Sequence, residues 1–133
     1  MTETNADVVR GMYAAFARGE VAAVLAALDP DIEWREAENF IYAAGNPYRG
    51  PDAVLEGVFQ RLAAEWDSFG VSPTDVLDAG DAAVGYGYYS GVHRTTGKAV
   101  RAQFCHMFWF RDGKVSRFQQ YTDTLQFQEA VTG

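Results

Sequence analysis

The sequence is poor in the residues that usually announce a chemistry. One cysteine, Cys105, among 133 residues excludes an intramolecular disulfide, and a lone thiol fits a reducing cytoplasm. Because Cys105 lies in an apolar run, it reads as a packing thiol. There are only two histidines, His93 and His106. With neither an HxxxH nor a CxxC spacing, no metal site is expected, and His93 reads as a surface residue at a strand end. GxGxxG, GxxxxGK[ST] and GxSxG are absent, so no nucleotide cofactor and no nucleophile elbow is expected, and cofactor-free chemistry fits best. Basic residues are scarce, 11 against 18 acidic ones for a net charge of −7, which argues against a nucleic-acid surface or a polybasic membrane patch. No apolar run approaches the roughly 20 residues of a membrane span. Met1-Thr-Glu-Thr-Asn-Ala-Asp7 lacks the basic and apolar regions of a signal peptide. The expectation is a cytoplasmic protein with neither nucleic acid nor membrane as partner.

What the chain has is a large apolar content, 48% hydrophobic and 14% aromatic, enough for one substantial core and a single domain over residues 1–133. Val8, Val9, Met12, Tyr13 and Phe16, then Val21, Val24, Leu25 and Leu28, recur at three and four and predict two helices. The break falls at Gly19, and the second helix is expected to stop at Asp29-Pro30-Asp31. Residues 32–36 alternate as a short strand ahead of an aromatic loop. A third helix is predicted over 52–66, where Leu55, Phe59, Leu62 and Trp66 share a face behind Pro51. Strand patterns follow at about 70–79, 82–94, 98–111 and 114–123, with Asp112-Gly113 as a hairpin signal. Helices followed by a meander imply an α+β domain, a curved antiparallel sheet with three helices covering one face. Gly85, Gly87 and Gly91 share one face of their strand, opposite Val84, Tyr86 and Tyr88, which permits bending or close approach.

The segment Phe104-Cys-His-Met-Phe-Trp-Phe110 is apolar on both faces and carries one ionisable residue, His106. Alternation puts Phe104, His106 and Phe108 on one side and Cys105, Met107 and Trp109 on the other. With helices on one side, the other is expected to be covered by a second copy of the chain, a homodimer packed sheet against sheet.

The order helix-helix-strand-helix-strands resembles the nuclear transport factor 2-like superfamily and its SnoaL-like members. Asp29-Pro-Asp-Ile-Glu-Trp34 is similar to the start of that family's first strand, and Tyr48-Arg-Gly-Pro51 to the lead-in to its third helix. Phe108-Trp-Phe-Arg-Asp-Gly-Lys-Val115 resembles its central hairpin, and Tyr121-Thr-Asp-Thr124 the end of its last strand. The resemblance implies a cone-shaped, cystatin-like α+β roll enclosing a mostly apolar pocket for a hydrophobic small molecule. The family's polyketide cyclases use a strand aspartate as acid-base residue assisted by a histidine, and by motif position these fall at Asp123 and His106. The chain departs from the steroid isomerases, having no carboxylate at position 106, and the Asp-Arg-Asp set of the epoxide hydrolases has no evident counterpart.

The expected site therefore pairs Asp123 with His106, with Tyr121 as hydroxyl donor. Asp123 has the alternative of capping a C-terminal segment that starts at Thr124, and His106 that of a satisfied core histidine. Trp34, Phe59, Leu62, Trp66, Tyr86, Tyr88, Phe104 and Phe108 are candidate cavity walls or plain core. Glu36 has the parity of Trp34 and points inward, or else is solvated. Tyr42 and Tyr48 read as a lid or as loop tyrosines without a role. Three functions stay open: a cofactor-free cyclase, isomerase or dehydratase acting on a carbonyl compound, a non-catalytic binding module, and a dimeric scaffold.

Overall fold

The computed structural model describes residues 3–133. Helix α1 (Asn5–Ala17) starts at a capping box: Thr4 Oγ1 accepts from the Asp7 amide at 3.1 Å, and Asp7 Oδ2 accepts from the Thr4 amide at 3.2 Å. Helix α2 (Val21–Ala26) is shorter than the apolar spacing predicts, because the chain is already extended at Leu28. Asp29-Pro30 consequently lies inside β1 (Leu28–Arg35) and not at a helix end. The ladder from β1 is irregular between Leu28 and Glu33, so the missing Pro30 N–H forfeits no regular ladder bond. A loop with a 3₁₀ turn (Ala43–Gly45) and the two-residue β2 (Tyr48–Arg49) leads into α3, which begins as Pro51–Val54, passes through a π-helical turn at Leu55–Phe59 and ends as Gln60–Glu65. Then come β3 (Trp66–Asp78), β4 (Ala82–His93), β5 (Ala99–Arg111), β6 (Lys114–Thr122) and a closing helix α4 (Thr124–Val131).

The six strands form one curved, unclosed sheet in the order β2-β1-β6-β5-β4-β3. The expected antiparallel meander is present from β3 to β6, but β1 joins it parallel to β6, so the sheet is mixed. At Gly87 the β3 backbone comes close, since a Cβ there would lie 2.1 Å from the Ser72 carbonyl oxygen. The adjoining register shift between Pro73 and Asp75 lets β3 bend there.

One irregularity decides which residues face the helices. The Asp112-Gly113 turn pairs Arg111 with Lys114 and Phe110 with Val115, but Trp109 pairs with Arg117, so Ser116 is an extra residue in β6. Its hydroxyl donates to the Trp109 carbonyl at 3.2 Å. Beyond the bulge His106 stands opposite Gln120, and Cys105 opposite Tyr121. A regular hairpin would have set His106 opposite Gln119 and aligned it with Tyr121 and Asp123; one inserted residue moves those two to the other face.

Candidate functional site

The concave face of the sheet, α1 and α3 enclose a mostly apolar cavity of about 70 Å³. Met12, Tyr13 and Phe16 reach it from α1, Val58, Phe59 and Leu62 from α3, Trp34 from β1 and Phe40 from the loop. The sheet supplies Tyr89, His106, Phe108, Phe118 and Gln120, and Glu36 enters just after β1. Four residues bring most of its polar chemistry: Glu36, His106 and Gln120, 3 to 5% exposed, and Tyr89 beside them.

His106 is held from both sides. Its Nδ1 lies 2.8 Å from the Tyr13 hydroxyl, and its Nε2 is hydrogen-bonded to the Tyr89 hydroxyl. Tyr13 gets there because position 85 is glycine, where a Cβ would lie 2.1 Å from the Tyr13 oxygen. Burial pushes the His106 imidazolium down to about 3, so the ring is neutral at neutral pH. A neutral imidazole has one N–H and one lone-pair nitrogen, so it donates to one tyrosine and accepts from the other. Gln120 Nε2 donates to the Tyr89 oxygen at 3.0 Å, and Gln120 Oε1 accepts from the Ala37 amide at 3.0 Å, which orients the carboxamide. Two proton orders satisfy this chain. If Tyr89 donates to the ring, the Tyr13 hydroxyl hydrogen is uncommitted; if Tyr13 donates, the Tyr89 hydrogen is. Either order leaves one phenolic hydrogen within the chain's cavity-facing pair.

Glu36 is the buried carboxyl of the site. Its Oε2 accepts from Trp34 Nε1 at 3.2 Å, and burial raises its carboxyl to about 8 against the opposing pull of that bond. It is therefore mostly protonated at neutral pH, a carboxylic acid among apolar walls with a midpoint close to working pH. Its charge, when present, raises the Tyr89 phenol, although burial is the larger cause there.

Of the candidates read from the sequence, Trp34, Glu36, Phe59, Leu62, His106 and Phe108 meet in this cavity. Phe104 stacks on the His106 ring with centroids 4.2 Å apart and packs outside the cavity wall. Tyr42 and Trp66 belong to a neighbouring part of the core, where Trp66 Nε1 donates to the Tyr42 hydroxyl (3.2 Å) and that hydroxyl donates to Glu65 (2.9 Å). Tyr48 donates to the Tyr42 carbonyl at 2.6 Å. Both tyrosines are thus buried pillars and form no lid. His93, expected at the surface, is buried with its ring 5.0 Å from Trp66.

The Asp123–His106 pair does not form. Asp123 is exposed and caps α4, accepting from the Gln126 amide at 3.4 Å and the Gln126 side chain at 3.0 Å. Tyr121 is 54% exposed on the outer face. Tyr86 and Tyr88 also lie outward, Tyr86 exposed and Tyr88 half-buried beneath Arg101, whose guanidinium is 3.9 Å from its ring centre. The inner face of β4 is instead the one that carries Gly85, Gly87 and the buried Tyr89. Tyr13, Tyr89 and Gln120 went unnoticed as site residues. The helical face it shares with Phe16 was the available signal for Tyr13, whereas Gln120 turns inward only through the bulge.

Among the described residues, no group of three or more His, Cys, Asp or Glu side chains is placed to hold a metal ion, and no helix is long and apolar enough to cross a membrane.

Helices folded over a curved mixed sheet, with a small cavity between them, define the class of this protein: an α+β roll of the nuclear transport factor 2-like kind. The SnoaL-like domain family matches residues 9–118, and the chain belongs to that family. It is similar to an NTF2-like protein of Burkholderia thailandensis, with 37% identity over 99% of this chain and 100% of that one and a TM-score of 0.94. A Burkholderia pseudomallei NTF2-like protein of unknown function is 25% identical over the full length of both chains, with a TM-score of 0.88. The fold also matches IdmH, a putative polyketide cyclase from Streptomyces antibioticus, at 20% identity over 96% of this chain and 97% of that one, with a TM-score of 0.79. No curated protein matches.

Proposed function

We propose that this protein binds a compact hydrophobic carbonyl compound in the cavity and moves a proton at the carbon beside the carbonyl. The observation that carries this reading is Glu36, a 3% exposed carboxyl lining the same small cavity as the His106-centred tyrosine pair. In its ionised form Glu36 takes the proton from the α-carbon. The C–H electron pair moves into the carbon–carbon bond of an enolate, and the uncommitted phenolic hydrogen bonds to the developing oxygen. Returning the proton to a conjugated carbon completes an isomerisation; if the Glu36 carboxyl first trades that proton for one from water, returning the new one to the same carbon completes an exchange. A cavity of about 70 Å³ is well below the roughly 300 Å³ at which pockets enclose drug-sized ligands, which favours a compact ligand. The likeness to a putative polyketide cyclase supports a carbonyl substrate by fold alone.

Deuterium uptake at the α-carbon of cyclopentanone in D₂O, followed by NMR, tests this without knowledge of the natural ligand. Catalysed exchange should rise with pH as Glu36 ionises and fall by about 100-fold or more in Glu36→Gln. Exchange at the buffer rate, or an unaffected variant, would refute it. The same small cavity, in which no buried side-chain polar atom of the described residues lacks a partner, favours a second reading, a non-catalytic pocket or a self-packed scaffold. Native mass spectrometry of protein from its host separates these: a retained ligand without exchange indicates binding, and an empty inert protein indicates the scaffold.

We also propose a homodimer through the outer sheet face. Tyr86 and Tyr121, 39% and 54% exposed, flank half-buried Cys105 in one cross-strand row, leaving apolar and aromatic surface in need of cover. A solution mass of one chain at micromolar concentration would overturn this.

A further inference from the structure

Glu36 follows the last residue of β1, and its main chain has left the sheet ladder there. Buried main-chain amides and carbonyls still require partners. At residues 36 and 37 those partners are two side chains, one 10 residues on and the other 83. The Glu36 amide donates to Asn46 Oδ1 at 2.8 Å, and Asn46 Nδ2 donates to the Glu36 carbonyl at 2.8 Å. The carboxamide of Asn46 thus stands in for a neighbouring strand. One residue on, the Ala37 amide donates to Gln120 Oε1 at 3.0 Å, and the other end of Gln120 donates to Tyr89.

We infer that Asn46 and Gln120 are positioning residues: two uncharged carboxamides that clamp the main chain at residues 36 and 37 and so hold the Glu36 side chain in the cavity. This rests on the reading of Glu36 as the proton-exchanging group.

The clamp opposes a specific alternative. Residues 36 and 37 also border a solvent-facing hollow of about 580 Å³ whose wall includes Arg35, Glu38 and Gln119. A carboxyl released from the cavity gains water there, and water favours its ionised form. The chemical type of the clamp matters as well. A lysine or arginine could bind the Glu36 carbonyl equally well, but its charge would draw Glu36 into the ionised form; an amide satisfies the main chain and leaves the carboxyl's proton affinity to its surroundings. The titratable groups electrostatically coupled to Glu36 are the phenols of Tyr48 and Tyr89, both raised chiefly by burial and neutral near pH 7. Gln120 ties the clamp to the Tyr89–His106–Tyr13 chain, so both halves of the site share one fixed point.

The experiment is a carbon-13 NMR titration of the Glu36 side-chain carboxyl in selectively labelled protein, assigned with Glu36→Gln. The wild-type midpoint should lie near 8. Asn46→Ala should lower it by about one pH unit or more, a tenfold or greater loss of proton affinity. Asn46→Ser, which keeps one hydrogen-bonding hydroxyl, should fall between the two and provides the readout if the alanine variant does not fold. A loop bond that only stabilised the fold would lower Tm and leave the midpoint in place. A high wild-type midpoint unmoved in the variants overturns the clamp alone, whereas a wild-type midpoint in the ordinary carboxylate range overturns the reading of the site and the clamp with it.

Discussion

Glu36 and Asp123 each follow the last residue of a strand, β1 and β6, and those strands are parallel neighbours in one sheet. Their surroundings are opposite. Glu36 turns into the cavity, loses its water and keeps its proton to about pH 8. Asp123 turns out, stays exposed and uses its carboxylate to cap α4. The difference is one of face and not of residue type. On the concave side an acid is desolvated and poised near neutral pH; on the convex side the same functional group does a helix's local work.

The two faces should differ most at β5, where His106 and Cys105 are adjacent but face opposite ways. His106→Ala removes a partner from two buried hydroxyls and leaves a void, which should cost about 3–5 kcal/mol in urea unfolding. Cys105→Ala should stay within about 1 kcal/mol. Equal losses would mean that the two faces are not distinct. Gly85→Ala sharpens the inner half alone: its methyl would meet the Tyr13 oxygen, displacing Tyr13 from His106 at a cost of about 1–3 kcal/mol. The expected mark is a loss of the Tyr13–His106 coupling in imidazole NMR, with ketone exchange impaired. On the outer side, Asp123→Ala should lose about 1 kcal/mol as an N-cap while ketone exchange proceeds at the wild-type rate. A variant inert in exchange would return Asp123 to the mechanism.

Much of the fold was readable because local patterns agree with it. The 3.6-residue period marks α1 and α3, and Asp112-Gly113 fixes the last hairpin. The inward turn of Glu36 was readable only in part: it shares the parity of Trp34, but β1 ends at Arg35 between them, and a solvated carboxylate stood beside the inward reading. What escaped was non-local or depended on a single inserted residue. Ser116 flips the relation of Tyr121 and Asp123 to His106, and nothing in the Phe108–Val115 turn sequence requires a bulge at the residue that follows it. The parallel seat of β1 beside β6 brings together segments about 80 residues apart, beyond the reach of periodicity. The closure of the His106 chain by Tyr13 depends on the absence of a side chain at Gly85, a contact between α1 and β4 that neither segment reveals alone.

Because the inner face holds Glu36 protonated and dry, the stability of the fold depends on pH in a way that can be measured. A carboxyl raised from 4.5 to about 8 on folding leaves stability intact below pH 4.5; between pH 4.5 and about 8 the unfolded chain releases a proton that the folded chain keeps, so stability is lost as pH rises. His106, lowered from 6.5 to about 3, acts in reverse, losing stability as pH falls through that range, so the two slopes largely cancel between about pH 4.5 and 6.5. Subtracting the unfolding curve of Glu36→Gln from that of the wild type removes His106 and every other shared group. The difference should move against the wild type by about 1.4 kcal/mol per pH unit between pH 4.5 and about 8 and then level off. Parallel curves across that range would contradict it.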